Sequence, residues 1–218
     1  MKLTLLILLL LLPVCNSSAQ NTGERCVKTH NAPPANTYYW RPDTQVKVYF
    51  HRAMFTPEER QIFLDTISNW SEIAQKAGTG VEFTYAGELD GIIDCNDCLR
   101  VTRRDVHASD PKHYAFFYPL KFDADGLLIS ARIDIDFATT SPTALQSFMA
   151  HELGHGMGLW DCTTCKKKKT IMNGFPGINR DNGLVGPSSC DVEVVKEVYD
   201  QRRRSKSNTL AESAKVKL

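Results

Sequence analysis

The sequence lacks an excess of charge of either sign, since 26 basic residues stand against 25 acidic ones in 218 residues. Basic residues clearly outnumber acidic ones in the tail, residues 201–218, which holds six Lys or Arg side chains against Glu212 alone. We interpret this polar tail as disordered. A nucleic-acid-binding domain typically carries a basic patch on its folded surface, so we expect no nucleic-acid partner.

Long apolar runs are lacking after the first residues, so the sequence predicts no transmembrane segment. Residues 3–12 are almost purely aliphatic, and the small residues 17–19 follow them. This pattern predicts a secretory signal peptide over residues 1–19 and a secreted, extracellular or periplasmic protein. A lipoprotein anchored through Cys15 is an alternative, although Val14 is an unfavourable residue before a lipidated cysteine.

Six cysteines follow the signal peptide, and an even number in an exported protein favours disulfides. Two C-x-x-C pairs are local, which predicts Cys95–Cys98 and Cys162–Cys165 and leaves Cys26–Cys190. A structural zinc site built from the two C-x-x-C pairs is the alternative. Cys26 has a second interpretation, as a thiol that caps a catalytic metal before activation.

The sequence also lacks internal repeats, which favours one domain over residues 44–200, preceded by an irregular arm over residues 20–43. Alternating or apolar segments predict strands at 46–51, 81–85, 99–102, 113–120 and 127–137. Thr56, Pro57 and Glu59 have the spacing of a helix N-terminus with a capping box. Ser141 and Pro142 predict the start of a second helix. This order implies an α/β fold with helices on one side of a twisted sheet.

The second helix runs into the motif H-E-x-x-H-x-x-G-x-x-D, formed by His151, Glu152, His155, Gly158 and Asp161. Residues four apart share one face of a helix, so the two imidazoles can bind one metal ion. Glu152 then lies beside the metal as a general base. A glycine permits the backbone to leave the helix, which brings Asp161 round as a third ligand. The motif therefore predicts a catalytic zinc site.

This motif resembles that of the metzincin metalloproteases, and Met172 resembles their methionine turn. The order of elements is most similar to the matrixins, although these mostly have His where this sequence has Asp161. The resemblance implies a mostly parallel sheet with an antiparallel edge strand, a backing helix, an active-site helix and a C-terminal helix. It also implies a structural role for Met172 beneath the zinc. In contrast to astacin-like enzymes, Gly174 stands where their tyrosine follows the methionine.

The resemblance implies a secreted zinc-dependent endopeptidase, in which Glu152 takes a proton from zinc-bound water during attack on a peptide bond. The partner would be a protein or peptide substrate, and we assume a monomer. An exported, non-catalytic zinc-binding domain of the same fold is the alternative function. A later carboxylate, Glu193 or Glu197, is the alternative third ligand.

Three further features have both a functional and a structural interpretation. Residues 113–120 are strongly aromatic and are either a substrate-binding edge strand or part of the core. Asp134 and Asp136 alternate along a strand and either bind calcium or face water. The lysine run 166–169 lies between the third ligand and Met172, where it either favours acidic substrates or is a solvated loop.

Overall fold

The computed structural model describes residues 38–91, 94–110, 113–162, 165, 169–173 and 184–215. Strands and helices alternate in the first half, and two long helices dominate the second. We number the elements β1 (Gln45–His51), α1 (Pro57–Lys76), β2 (Glu82–Leu89), β3 (Cys98–Arg104), α2 (Val106–Ser109), β4 (Ala115–Phe122), β5 (Leu128–Asp136), α3 (Pro142–Gly156) and α4 (Ser189–Lys215).

The strands form one five-stranded sheet in the order β2-β1-β3-β5-β4. The pairs β1–β2, β1–β3 and β3–β5 are parallel, and β4 pairs with β5 in the antiparallel direction. The predicted fold class is therefore confirmed: the sheet is mostly parallel and has an antiparallel edge strand. Parallel strands require crossover connections, and α1 provides the first of them, between β1 and β2.

Helix α1 begins as the sequence predicts, at Pro57 after the N-cap Thr56. The Thr56 hydroxyl accepts from the Glu59 N–H, and the Glu59 carboxylate accepts from the Thr56 N–H. Its apolar face packs into the core through Phe63, Ile67 and Trp70. The indole of Trp70 also donates a buried hydrogen bond of 2.8 Å to the carbonyl of Ala150 on α3, so α1 supports the helix that carries the motif.

The end of the N-terminal arm belongs to the core, which the sequence analysis did not predict. Trp40 is fully buried, and its backbone N–H donates to the carbonyl of Gly156 at the end of α3. Its own carbonyl accepts from the hydroxyl of Tyr199 on α4 at 3.0 Å. The backbone of Trp40 also forms an isolated parallel β-bridge with Leu128 at the start of β5. This one residue therefore joins the sheet, the motif helix and the last helix.

Helix α4 continues to Lys215, whereas the sequence analysis predicted disorder from residue 201. Side-chain contacts support the helix beyond residue 200, because Gln201 and Arg204 lie one and two turns after Glu197 and both donate to its carboxylate. Arg203 donates to the carbonyl of Gly78 at 2.7 Å, which ties the helix to the end of α1. The short helix α2 was also missed, because it is a single turn capped by Asp105.

Two disulfides lie in the described residues, Cys95–Cys98 and Cys162–Cys165. Cys190 is disulfide-bonded as well, but its predicted partner Cys26 lies outside the described residues. Also outside the described residues lie the predicted signal peptide, most of the arm, Lys166 to Lys168 and Gly174. Among the helices of the described residues, none has the length and apolar character needed to cross a membrane.

We expect Tyr199→Phe to lower the free energy of unfolding by about 1–2 kcal/mol, because a buried hydrogen bond to Trp40 is lost. Burial raises the pKa of Tyr199 well above its ordinary value of 10.0. The native state thus keeps this proton at a pH where the unfolded state releases it, so stability falls as the pH rises above 10. Urea unfolding at neutral and alkaline pH should show a shallower alkaline loss in the variant. An unchanged alkaline slope would contradict this assignment.

Candidate metal centre

Helix α3 places the first two residues of the motif, as its periodicity requires. His151 and His155 are one turn apart, and their rings meet edge to face with centroids 4.9 Å apart. The helix ends at Gly156, and Gly158 follows with a φ of +86°, a conformation that favours glycine. The chain then reverses and brings Asp161 back toward the helix.

Three metal-ligating side chains converge at this point. One ligand atom from each of His151, His155 and Asp161 lies within 4.8 Å of the other two. Nε2 of His151 is 3.0 Å from Oδ1 of Asp161. His151 is buried and Asp161 is half exposed, so the cluster opens to solvent on the side of the carboxylate. Glu193 and Glu197, the alternative third ligands, do not belong to this group.

The other ring nitrogen of each histidine is held by a backbone carbonyl. Nδ1 of His151 lies 3.0 Å from the carbonyl oxygen of Ile171, and Nδ1 of His155 lies 2.9 Å from that of Leu159. A carbonyl can only accept, so each Nδ1 carries a proton and donates it to this bond. Each imidazole therefore has Nε2 as the nitrogen that can bind a metal. These carbonyl partners were not predicted from the sequence.

Met172 lies fully buried beneath the motif helix. A Cβ added at Gly154, between the two histidines, would overlap the Met172 sulfur and come within 3.3 Å of the Trp70 ring. Gly154 therefore allows the close approach of α3 to this methionine. Two residues later, and so on the opposite side of the helix, a Cβ at Gly156 would be 2.9 Å from the Trp40 indole nitrogen. The helix is thus fixed from two directions by close contacts.

The turn around Met172 is anchored by Asp191, a buried carboxylate in the first turn of α4. It accepts hydrogen bonds from the Thr170 hydroxyl at 2.5 Å and from the Ile171 N–H at 3.1 Å. It also accepts from the N–H of Ser188 at 2.7 Å and from its hydroxyl at 2.8 Å. Since the Ile171 carbonyl orients His151, Asp191 supports the metal centre indirectly. An acidic residue three positions after Ser188 was the only signal in the sequence.

The segment that follows Asp161 contains the Cys162–Cys165 disulfide and is hydrogen-bonded to the turn around Met172. The N–H of Cys162 donates to the carbonyl of Met172 at 2.8 Å. The side-chain amide of Asn173 donates to the carbonyl of Cys165 at 2.9 Å. Because these bonds begin one residue after Asp161, they restrict where its carboxylate can lie.

The surroundings of His155 favour its neutral form. Burial lowers the pKa of His155, and the neighbouring His151 lowers it further, against the opposing effect of Glu152 and Asp161. Nε2 of His155 is 4.0 Å from Oε2 of Glu152. Burial also raises the pKa of Tyr38, and the negative charges of Glu152 and Asp161 raise it further, so this hydroxyl stays protonated near the centre.

The residues present fit a zinc ion. Two neutral imidazole nitrogens and one carboxylate oxygen are a common donor set for catalytic zinc, which keeps a further position open. Both histidines have the outer hydrogen bond that fixes a zinc-binding tautomer, here to the carbonyls of Ile171 and Leu159. Glu152 is beside the ligands but outside the group of three.

The aromatic strand β4 lies along the edge of the sheet next to the metal centre. Its inward residues Ala115 and Phe117 are buried, and the Phe117 ring centroid is 6.4 Å from that of His155. Its outer end is exposed at Leu120 and Phe122. The core interpretation therefore holds for the buried face of this segment, whereas the substrate-binding interpretation stays a prediction.

The aspartates of β5 do not face water, contrary to one of the two interpretations. Asp134 is 2% exposed and Asp136 is 3% exposed. The carboxylate of Asp134 accepts from the Thr102 hydroxyl at 2.6 Å and pairs with Arg132. Oδ1 of Asp136 accepts from the N–H of Ala138 at 2.7 Å. Asp134 thus lies in the environment of an ion-paired carboxylate.

Comparisons with known proteins give a distant structural likeness. No family model and no curated protein matches the sequence. Archaemetzincin from Methanopyrus kandleri has a TM-score of 0.45 at 12% identity, over 77% of this chain and 98% of its own. Myroilysin has a TM-score of 0.44 at 15% identity, over 77% and 87%. A second myroilysin structure has a TM-score of 0.36 at 17% identity, over 56% of this chain and only 44% of its own. TM-scores this low do not assign a family or an activity.

Proposed function

We propose that this protein is a zinc-dependent endopeptidase with His151, His155 and Asp161 as metal ligands and Glu152 as general base. The observation that carries the proposal is the convergence of these three ligand atoms within 4.8 Å. The carbonyl contacts at both Nδ1 atoms support it, because they prepare both imidazoles for a metal. An ordinary pair of helix histidines needs neither feature.

Glu152 has the position and the burial that a general base requires. Its carboxylate is 5% exposed and follows the first ligand along α3. When bound, zinc supplies Lewis-acid polarisation of the scissile carbonyl and makes water more acidic. Oε2 of Glu152 then accepts the proton from the attacking water and passes it to the nitrogen of the leaving amine. The Tyr38 hydroxyl stays protonated, because burial and the charges of Glu152 and Asp161 raise its pKa.

The substrate class is an extended polypeptide that pairs with the edge of β4. Among the described strands, β4 pairs with β5 alone, so its outer edge can bind another strand by β-augmentation. The Phe117 side chain connects the strand to His155. A peptide held along this edge would pass the open side of the metal centre.

We further propose that the enzyme is a metzincin, in a matrixin-like variant with Asp161 as third ligand. The motif, the methionine turn and the order of elements support this proposal. The apolar N-terminal segment supports export, which agrees with the disulfides Cys95–Cys98 and Cys162–Cys165. Processing at residue 19 remains part of this proposal.

Replacement of the third ligand tests the proposal. We expect Asp161→Ala to weaken zinc binding about 100-fold or more and to remove casein cleavage, because one of three ligands is lost. Zinc content by mass spectrometry and affinity by chelator competition are the measurements. Asp65→Ala on the exposed face of α1 is the matched control and should behave as wild type. Full zinc content and full activity in Asp161→Ala would refute the ligand assignment.

A further inference from the structure

A cavity of about 590 Å³, separate from the metal centre, lies at the carboxyl ends of the parallel strands β1, β3 and β5. His51 lines it at the end of β1, Arg104 at the end of β3 and Phe137 after β5. No lining residue belongs to the metal centre. The chain leaves β1 toward one edge of the sheet, to β2, and leaves β3 toward the other edge, to β4. Open α/β sheets bind ligands at such a switch point.

One buried carboxylate in this cavity faces two guanidinium groups. Nε of Arg132 is 2.8 Å from Oδ1 of Asp134, and Nε of Arg104 is 3.4 Å from its Oδ2. The same Oδ1 already accepts from the Thr102 hydroxyl at 2.6 Å. Nε of Arg132 is also among the buried nitrogens without a hydrogen-bond partner in the described residues. Its contact with Asp134 is therefore an ion pair without hydrogen-bond alignment.

A third guanidinium increases this local excess of positive charge. Arg100 stands directly opposite Arg132 in the β3–β5 register and is 8% exposed. Like charges opposite each other destabilise a sheet. Nε of Arg100 has no hydrogen-bond partner among the described residues. Burial lowers the pKa of Arg100, and the charge of Arg132 lowers it further.

The other charged groups near the cavity have partners of their own. Arg103 donates to Glu59 at 2.5 Å and to two backbone carbonyls. Oδ1 of Asp105 caps α2 through the N–H of Ala108, and Oδ1 of Asp136 accepts from the backbone after β5. Asp134 is therefore the carboxylate that pairs directly with the arginines of the cavity. Arg104 and Arg132 share this one carboxylate.

We propose that this cavity binds a small anionic molecule through a phosphate or sulfate group held by Arg104 and Arg132. The guanidinium of Arg132 is already positioned, since its Cζ lies 4.7 Å from the centroid of the Tyr118 ring. Arginine side chains bind tetrahedral oxyanions through paired N–H donors. Arg100, which stands opposite Arg132 in the register, adds a third positive charge next to these two. The cavity has the size of a small-molecule site.

Titration calorimetry of the full chain tests this site without any peptidase assay. The probes are inorganic phosphate and sodium sulfate, with sodium chloride at equal ionic strength as the reference. We expect saturable binding of one or both oxyanions and a rise in melting temperature that chloride does not give. We expect Arg104→Gln and Arg132→Gln each to weaken this binding about tenfold.

Arg204→Gln is the matched control, because Arg204 is an exposed arginine on α4 that contacts Glu197. It should bind the oxyanions as wild type does. Arg104 is half exposed, so its variant should fold even if Arg132→Gln does not. Tighter binding of phosphate than of sulfate, or the reverse, identifies the preferred group and supports the site. The absence of saturable binding, or equal weakening in Arg204→Gln, would overturn it.

Discussion

Glu152→Gln should lower kcat for casein or peptide cleavage by about 100- to 10,000-fold while zinc stays bound. The amide has the shape of the carboxylate but cannot accept the proton of the attacking water at the position of Oε2. Glu152 is outside the group of three ligands, so zinc content and affinity should equal those of wild type. The melting temperature should change little, because the substitution keeps the volume of a buried side chain.

The matched control for this variant is Glu72→Gln on α1, where the carboxylate is exposed and pairs with Lys76. It should keep full activity, since exposed pairs contribute little. Activity of Glu152→Gln within about threefold of wild type, with zinc bound, would exclude Glu152 as general base. A wild-type protein that binds zinc but cleaves no casein would favour the non-catalytic binding domain instead.

The convergence of the candidate ligands was predictable because their spacing is a local property. His151 and His155 lie one turn apart on any helix, and a glycine at position 158 marks where that helix ends. The groups that orient them were not predictable, because the carbonyls of Ile171 and Leu159 are backbone atoms that every residue has. Only the path of the folded chain brings these carbonyls to the two imidazoles.

The strands were predictable from alternation, whereas their mostly parallel direction came only with the family resemblance and their order in the sheet only with the structure. Short-range patterns state that β3 and β5 exist, but not that Arg100 faces Arg132 across them. The role of Trp40 was missed for the same reason, since its partners Gly156 and Tyr199 are distant in the sequence. Disorder from residue 201 was predicted from the basic, polar composition of the tail. Composition does not reveal that Gln201 and Arg204 contact Glu197.

Asp191→Ala should lower the free energy of unfolding by about 3–4 kcal/mol and weaken zinc binding about 10- to 100-fold. The carboxylate is fully buried and accepts from Thr170, Ile171 and Ser188, so its removal leaves buried donors without partners. The turn that holds the Ile171 carbonyl against Nδ1 of His151 then loses its anchor. Urea unfolding of the metal-free protein and chelator competition measure the two effects separately.

Thr56→Ala is the control for this prediction, because Asp191 also lies in the first turn of a helix. Thr56 caps α1 through a hydrogen bond to the Glu59 N–H, far along the chain from the methionine turn. Its loss should cost about 1 kcal/mol and leave zinc affinity unchanged. If Asp191→Ala likewise lowers stability without changing zinc affinity, Asp191 is only a helix-start residue. A loss of affinity confined to Asp191→Ala would mean that the first turn of α4 positions His151 through Ile171.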